Sequence, residues 1–253
     1  MGKLSESVGK KPITLLPYGP SGYGKTTLWG RMAEFEELKP IYCMDFDLRI
    51  NSLRARLDQK TLEDVYYDDF RDDKIQGEAY VAASQIANNI NKMDDKFKVK
   101  FKTFICDSGT FFMRAVMARV LYLDGNKPAT TTPQLQHYMQ AMSLTEEFVS
   151  KMCGSGRNFV FTCHEQTDKD EALGRIFKGV DLTGKMANRI PGYFNELWHC
   201  EISQKAGQEP AFVIRTRPDN LYSARTSFRS IGQGTGVEKQ EEIWAKIVKE
   251  LKS

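Results

Sequence analysis

The chain has 253 residues, with 36 Lys and Arg against 33 Asp and Glu and a net charge of +3. At 41% hydrophobic and 27% charged residues, its composition excludes a disordered chain, and so small a charge excess excludes a surface that is basic throughout, so any nucleic-acid contact must be local. No run approaches the roughly 20 apolar residues that span a bilayer, and the polar opening MGKLSESVGKKP lacks the apolar core of a signal peptide, so a cytoplasmic protein without membrane contact is expected.

Residues 1–11 read as a flexible lead-in and 12–253 as one domain closed by a C-terminal helix. ITLLPYG (13–19) predicts a buried strand running into a glycine turn, followed by a helix over 26–38 and a second buried strand, IYCMDF (41–46). Residues 51–70 read as charged and helix-like, and 78–93 as a helix with Ala79, Ala82, Ala83, Ile86, Ala87 and Ile90 on its inner stripe. FKTFICD (101–107) is a third buried strand, with a helix over about 110–123. DGNKPATTTP (124–133) is a loop by its Gly, Pro and Thr content, and Pro133 opens a helix to about 152. NFVFTCH (158–164) is a fourth buried strand.

From Glu165 to Gly192 the chain is polar and glycine-punctuated, and reads as a long functional or structureless connection. ELWHCEI (196–202), AFVIRTR (211–217) and LYSAR (221–225) read as late strands, with Tyr193, Phe194 and Trp198 in the core, and 237–251 as a helix. Buried strands alternating with helices predict an α/β fold. Its sheet is mainly parallel and flanked by helices, with antiparallel strands at one edge. The five cysteines, Cys43, Cys106, Cys153, Cys163 and Cys200, form no CxxC pair, and four lie in apolar runs as reduced core residues.

GPSGYGKT (19–26) matches GxxxxGK[ST], after a predicted strand and opening a predicted helix. Glycines let backbone N–H groups curl around phosphates, and the helix N-terminus adds positive potential. Gly19, Pro20, Ser21, Gly22, Tyr23, Gly24, Lys25, Thr26 and Thr27 are therefore expected to hold the phosphates of ATP. Lys25 reaches the β and γ phosphates, and the Thr26 hydroxyl ligates Mg2+. The apolar run ending in Asp107 supplies the second metal-side group, with Ser108 to support it. Hydrolysis also needs a group that orients water. Asp45 and Asp47, expected on one side of the second strand's end, and His164 at the next strand end are placed for that work.

This order of phosphate loop, acidic strand end, Asp-Ser and polar sensor strand is similar to that of the RecA-like P-loop NTPases. Asp47 matches their catalytic carboxylate and His164 their γ-phosphate switch. More closely, FTCHEQ (161–166), DLTGKMANRIPGYFNELWH (181–199) and IRTRPDNLYSARTSF (214–228) resemble the phage RecA-like proteins of the Sak type. These are single-strand annealing and recombination ATPases. The family's Lys-Asp-Arg cluster is thinned here to Arg225-Thr226-Ser227.

The resemblance implies DNA-stimulated ATP hydrolysis with Mg2+, single-stranded DNA as partner, a homo-oligomer, and contact with a phage single-strand DNA-binding protein in the host cytoplasm. It places DNA contacts on residues 124–134 and 165–192, through Lys127, Arg175, Phe177, Lys178, Lys185 and Arg189. It also makes Arg217 or Arg225 an arginine finger reaching a neighbouring subunit. A P-loop small-molecule kinase and a nucleotide-gated assembly module without turnover are the other readings of the same loop.

Overall fold

The computed structural model describes residues 12–72, 76–170, 174–204, 207 and 209–253, and the expected lead-in over 1–11 lies outside them. β1 (Thr14–Tyr18) is buried along its length. Its Pro17 lacks an N–H, but the Pro17 carbonyl still accepts the Cys163 N–H at 3.0 Å. α1 (Lys25–Gly30) is followed by a 3-10 turn over Arg31–Glu34, so the helix expected to Leu38 ends early. At its end Gly30 packs closely on the next segment: a Cβ there would meet the Leu53 side chain at 2.5 Å.

β2 (Ile41–Asp45) leads into a 3-10 turn over Ile50–Ala55, then α2 (Gln59–Leu62) and β3 (Val65–Asp69). β3 replaces the end of the charged helix expected over 51–70. It is an edge strand, and its half-exposed YYDD carries no apolar run that would mark it. The helix expected over 78–93 is two helices, α3 (Glu78–Asn88) and α4 (Ile90–Phe97), broken at Asn89. Ala79, Ala83 and Ile86 are buried as expected, whereas Ala82 faces outward.

β4 (Thr103–Asp107), α5 (Gly109–Leu123), α6 (Leu135–Cys153) and β5 (Asn158–Phe161) follow with boundaries close to expectation. The segment read as a loop over 165–192 is instead a hairpin, β6 (Glu165–Asp170) with β7 (Arg175–Val180), and a short helix α7 (Met186–Arg189). Its strands, EQTDKD and RIFKGV, show no sustained apolar alternation, so the sequence does not reveal it.

β8 (Glu196–Ser203), β9 (Ala211–Arg215), β10 (Val237–Lys239) and α8 (Ile243–Leu251) complete the chain. Residues 221–225 form no strand; single bridges tie Tyr222 to Lys178 and Arg225 to Leu197. The eight-stranded sheet runs β10-β9-β8-β1-β5-β4-β2-β3, parallel from β8 to β3, with β9 and β10 added antiparallel at one edge.

Strand alternation sends neighbouring side chains to opposite cores. Leu16, Tyr42, Phe104, Phe159 and Phe161 join the cluster that includes α3, α5 and α6, while Leu15, Cys43, Ile105 and Val160 join the cluster that includes α1 and α8. Phe194 and Trp198 are core residues, but Tyr193 is exposed, contrary to its expected place in the core. Cys43, Cys106, Cys163 and Cys200 are buried and unpaired, and burial pushes the Cys200 thiol up to about 12. Among the described residues no helix is long and apolar enough to cross a membrane.

Candidate nucleotide site

The C-terminal ends of β1, β2, β4 and β5 converge on one cleft of about 600 Å³. This is the edge where open parallel sheets bind ligands. The loop 19–27 leaves β1 and turns into α1 through Gly24 at φ 82°, a left-handed conformation that favours glycine. Lys25 is 7% exposed, and its Nζ donates to the Gly19 and Pro20 carbonyls at 2.8 Å each. Burial holds the Lys25 ammonium below its usual range, opposed by the nearby Cys200, Asp107 and Asp47. Ser21, Gly22, Gly24, Lys25, Thr26 and Thr27 line the cleft, while Tyr23 packs against the core beneath it.

Asp107 ends β4 facing the loop. The Thr26 hydroxyl donates to its Oδ2 at 2.7 Å, Trp29 Nε1 donates to the same oxygen at 2.8 Å, and the Thr162 hydroxyl donates to Oδ1. A hydroxyl and a carboxylate oxygen in contact are hard donors that suit Mg2+. Among the described residues there is no cluster of three or more His, Cys, Asp and Glu side chains for a metal. Thr26 and Asp107 would hold a Mg2+ ion, whose remaining ligands would come from nucleotide phosphate and water, as is usual for this ion.

Asp45 and Asp47 do not share a side, contrary to expectation, because β2 ends at Asp45 and the chain turns there. The Asp45 carboxylate accepts the backbone N–H groups of Arg49 at 3.3 Å and Ile50 at 3.0 Å, and so caps the 3-10 turn. Leu48 in that turn sits at φ 58°, at a cost of about 1 kcal/mol for a non-glycine residue. Asp47 faces the cleft. It accepts the Ser108 hydroxyl at 2.7 Å and lies 3.7 Å from His164 Nε2.

Burial raises the Asp47 pKa, but His164 and the Ser108 hydroxyl outweigh it and hold the carboxyl below its usual range. A depressed carboxyl contributes stability that is present above its unfolded pKa and lost as pH falls toward the folded value. The stability gap between the parent and Asp47→Asn is therefore expected to be constant near neutrality and to close as the pH falls through and below the ordinary aspartate range. Urea unfolding across that range checks this. A gap that does not change with pH would mean that Asp47 is not held ionised by these partners.

Several site residues carried no sequence motif. Trp29 lies three residues after Thr26 on α1, a spacing that puts both on one helix face and was legible in retrospect. Thr162 directly follows β5. Gln240, 4% exposed, donates from Nε2 to the Gly24 carbonyl at 2.6 Å, across 216 residues of sequence that gave no signal for it. Arg49 Nη1 donates to the Ser21 hydroxyl at 3.1 Å.

Behind His164, Glu165 opens β6 and bonds His199 Nε2 and, at 2.7 Å, Lys178 Nζ. His199 is 2% exposed, with Glu201 at 3.0 Å from its Nδ1 and Tyr222 stacked on its ring at 3.9 Å. The root of the hairpin is thus locked to β8 beside the cleft.

Three of the residues expected to touch DNA are ion-paired within the chain. Lys127 pairs with Asp124 at 2.6 Å, Lys178 with Glu165, and Arg189 with Glu146 at 3.3 Å. Lys185 is exposed, Phe177 is half-buried, and the Arg175 side chain lies outside the described residues. Arg225 donates to the Phe194 carbonyl at 2.8 Å and to the Pro191 carbonyl, and Arg217 to the Gly234 carbonyl at 3.3 Å. Arg217 and Arg225 line a second concavity with Arg229 and do not line the nucleotide cleft.

A family model described as an AAA domain matches residues 11–228. A comparison with curated proteins finds no match. Among solved structures, the RadB recombinase is similar at 14% identity and a TM-score of 0.46, over 83% of this chain and 86% of that one. The flagellar accessory protein FlaH from Methanocaldococcus jannaschii is similar at 12% identity and a TM-score of 0.47, over 87% and 83%. A prototypical ATPase from the type III secretion system of pathogenic bacteria is similar at 15% identity and a TM-score of 0.48. That match covers 76% of this chain and 52% of the ATPase.

Proposed function

This chain belongs to the AAA-domain family, and from that premise we propose that it binds ATP with Mg2+ and hydrolyses it to ADP and phosphate, in response to single-stranded DNA. The observation that carries the ATPase reading is the contact of Thr26 with Asp107 at 2.7 Å beneath a loop capped by Lys25. It joins the phosphate loop to a metal-side carboxylate in one cleft. Mg2+ bound there would neutralise charge on the β and γ phosphates. Lys25 binds the same phosphates, the loop amides fix their position, and Asp47 and His164 flank the side from which water attacks.

Strand annealing and recombination on single-stranded DNA, in a homo-oligomer working with a phage single-strand DNA-binding protein, rest on the Sak-type resemblance. The exposed Lys185 and the paired Lys127, Lys178 and Arg189 support a weak association in which DNA phosphates replace carboxylates as partners. Such binding depends steeply on salt.

Phosphate release from ATP, measured with and without single-stranded DNA and beside a sizing measurement, tests both parts. Turnover is expected to rise with DNA at low salt, and the rise to disappear when Lys178 and Lys185 are both replaced by Ala. Turnover that ignores DNA, with no DNA retained at low salt, would remove the DNA reading and leave the ATPase. A phosphorylated acceptor in place of free phosphate would make the protein a kinase.

A further inference from the structure

The turn after β2 carries a cation as well as Asp47. Asp45 grips the Arg49 and Ile50 amides, and Leu48 takes the left-handed conformation that reverses the chain. Arg49 is thereby aimed back at the phosphate loop, where its Nη1 donates to the Ser21 hydroxyl at 3.1 Å. Arg49, Ser21, Lys25, Asp47 and Asp107 line the same cleft. Among the described residues Arg49 forms no ion pair. The exposed guanidinium, permanently charged, is held at the loop by one neutral hydroxyl and lies close enough to Asp47 to help keep that carboxyl ionised. A phosphate oxygen is a much stronger acceptor for it and accepts two parallel bonds.

Resting on the ATPase reading above, we propose that Arg49 is a catalytic residue that acts in cis, leaving Ser21 to bind the γ-phosphate oxygens of ATP bound by the same chain. In the step it serves, the oxygen of water bonds to the γ-phosphorus. The bond from that phosphorus to the β–γ bridging oxygen breaks, with its electron pair leaving on ADP. The proton of the water passes to the Asp47 carboxylate and then to solvent. Arg49 stays protonated and neutralises charge that grows on the γ oxygens and the bridging oxygen. It does within one chain what Arg217 or Arg225 was expected to do across a subunit boundary.

Steady-state phosphate release by the full chain, with ATP and Mg2+, tests the assignment. Arg49→Ala is expected to lower kcat by about 10³-fold, as loss of an arginine finger does, with KM for ATP changed by less than about threefold. Arg49→Lys is expected to fall between, because it keeps the charge and loses the fork. An unfolding midpoint within about 2 °C of the parent certifies each variant as folded.

An equal mixture of Arg49→Ala and Lys25→Ala proteins is expected to stay as inactive as either alone, since no single chain carries both groups. Recovered activity in that mixture would overturn the cis assignment. So would a folded Arg49→Ala or Arg49→Lys protein with parental kcat, or an Arg49→Ala protein whose loss lies in KM alone. A parent protein that binds no ATP, or releases no phosphate from it, would fail differently: it would overturn the ATPase reading and this inference with it.

Discussion

Asp107→Ala is expected to lower stability by about 3 kcal/mol and to abolish phosphate release. The carboxylate is 5% exposed and receives three donors, from Thr26, Trp29 and Thr162. Thr26 borders the cleft and can turn to water when the acceptor is gone. The indole N–H of Trp29 and the hydroxyl of Thr162 are fully buried, and each costs about 1–3 kcal/mol when left without an acceptor. Relief of the desolvation of the carboxylate itself offsets part of that sum. For a chain of this size, the loss corresponds to a fall in the unfolding midpoint of about 10 °C.

Asp107→Asn separates the two roles. Its carbonyl keeps one acceptor in place, so its stability loss is expected near 1 kcal/mol. With the negative charge gone and an NH2 group pointed at the donors, turnover is still lost. Calorimetry of both variants beside phosphate release at graded Mg2+ makes the comparison. If Asp107→Ala unfolds within about 2 °C of the parent, the buried donors have found other partners and the three-donor account is wrong.

The parts of this site that were legible in the sequence are those encoded by neighbours along the chain. The loop 19–27 is a contiguous motif, and Asp107 closes an apolar run that can only be a buried strand. Both face the cleft because the strands that carry them are parallel and end on one sheet edge. What the sequence hid depends on where the chain stops being regular. Alternation extended past Asp45 predicted a pair of carboxylates. The strand ends at that residue, so Asp45 became the cap of a turn and Asp47 the residue in the cleft.

The same turn brings Arg49 to Ser21, a contact between residues 28 apart with no periodic signature. Gln240 reaches Gly24 only because β10 and α8 fold back over the loop. β3 and the β6–β7 hairpin were missed because VYYDD, EQTDKD and RIFKGV carry no run of apolar residues that marks a strand. The arginines illustrate the converse. Arg215, a cation in the apolar run AFVIR, is not free: it sits on β9 between β10 and β8, where Glu201 and Asp219 hold it within its own chain.

The C-terminal helix is the second place where stability and the nucleotide site meet, and Trp244→Ala is expected to cost about 3–5 kcal/mol, the range for removing a buried Trp. Trp244 on α8 is 1% exposed, and its ring lies 5.5 Å from that of Trp198 on β8. Its Nε1 donates to the Leu28 carbonyl at 2.6 Å. α1 ends at Gly30, so Leu28 lies in the last turn, where helix carbonyls lack partners within the helix. The indole therefore caps the helix that carries Lys25 and Thr26.

Removing the ring should both open a cavity and loosen that helix, so ADP affinity should fall together with stability. Trp244→Phe retains most of the packing and loses only the cap, with an expected cost of about 1–2 kcal/mol. Urea unfolding and ADP titration of the two variants distinguish packing from capping. If Trp244→Phe binds ADP as weakly as Trp244→Ala, the indole N–H rather than the ring positions α1. If neither variant changes ADP binding, α8 stabilises the fold without setting the geometry of the phosphate loop.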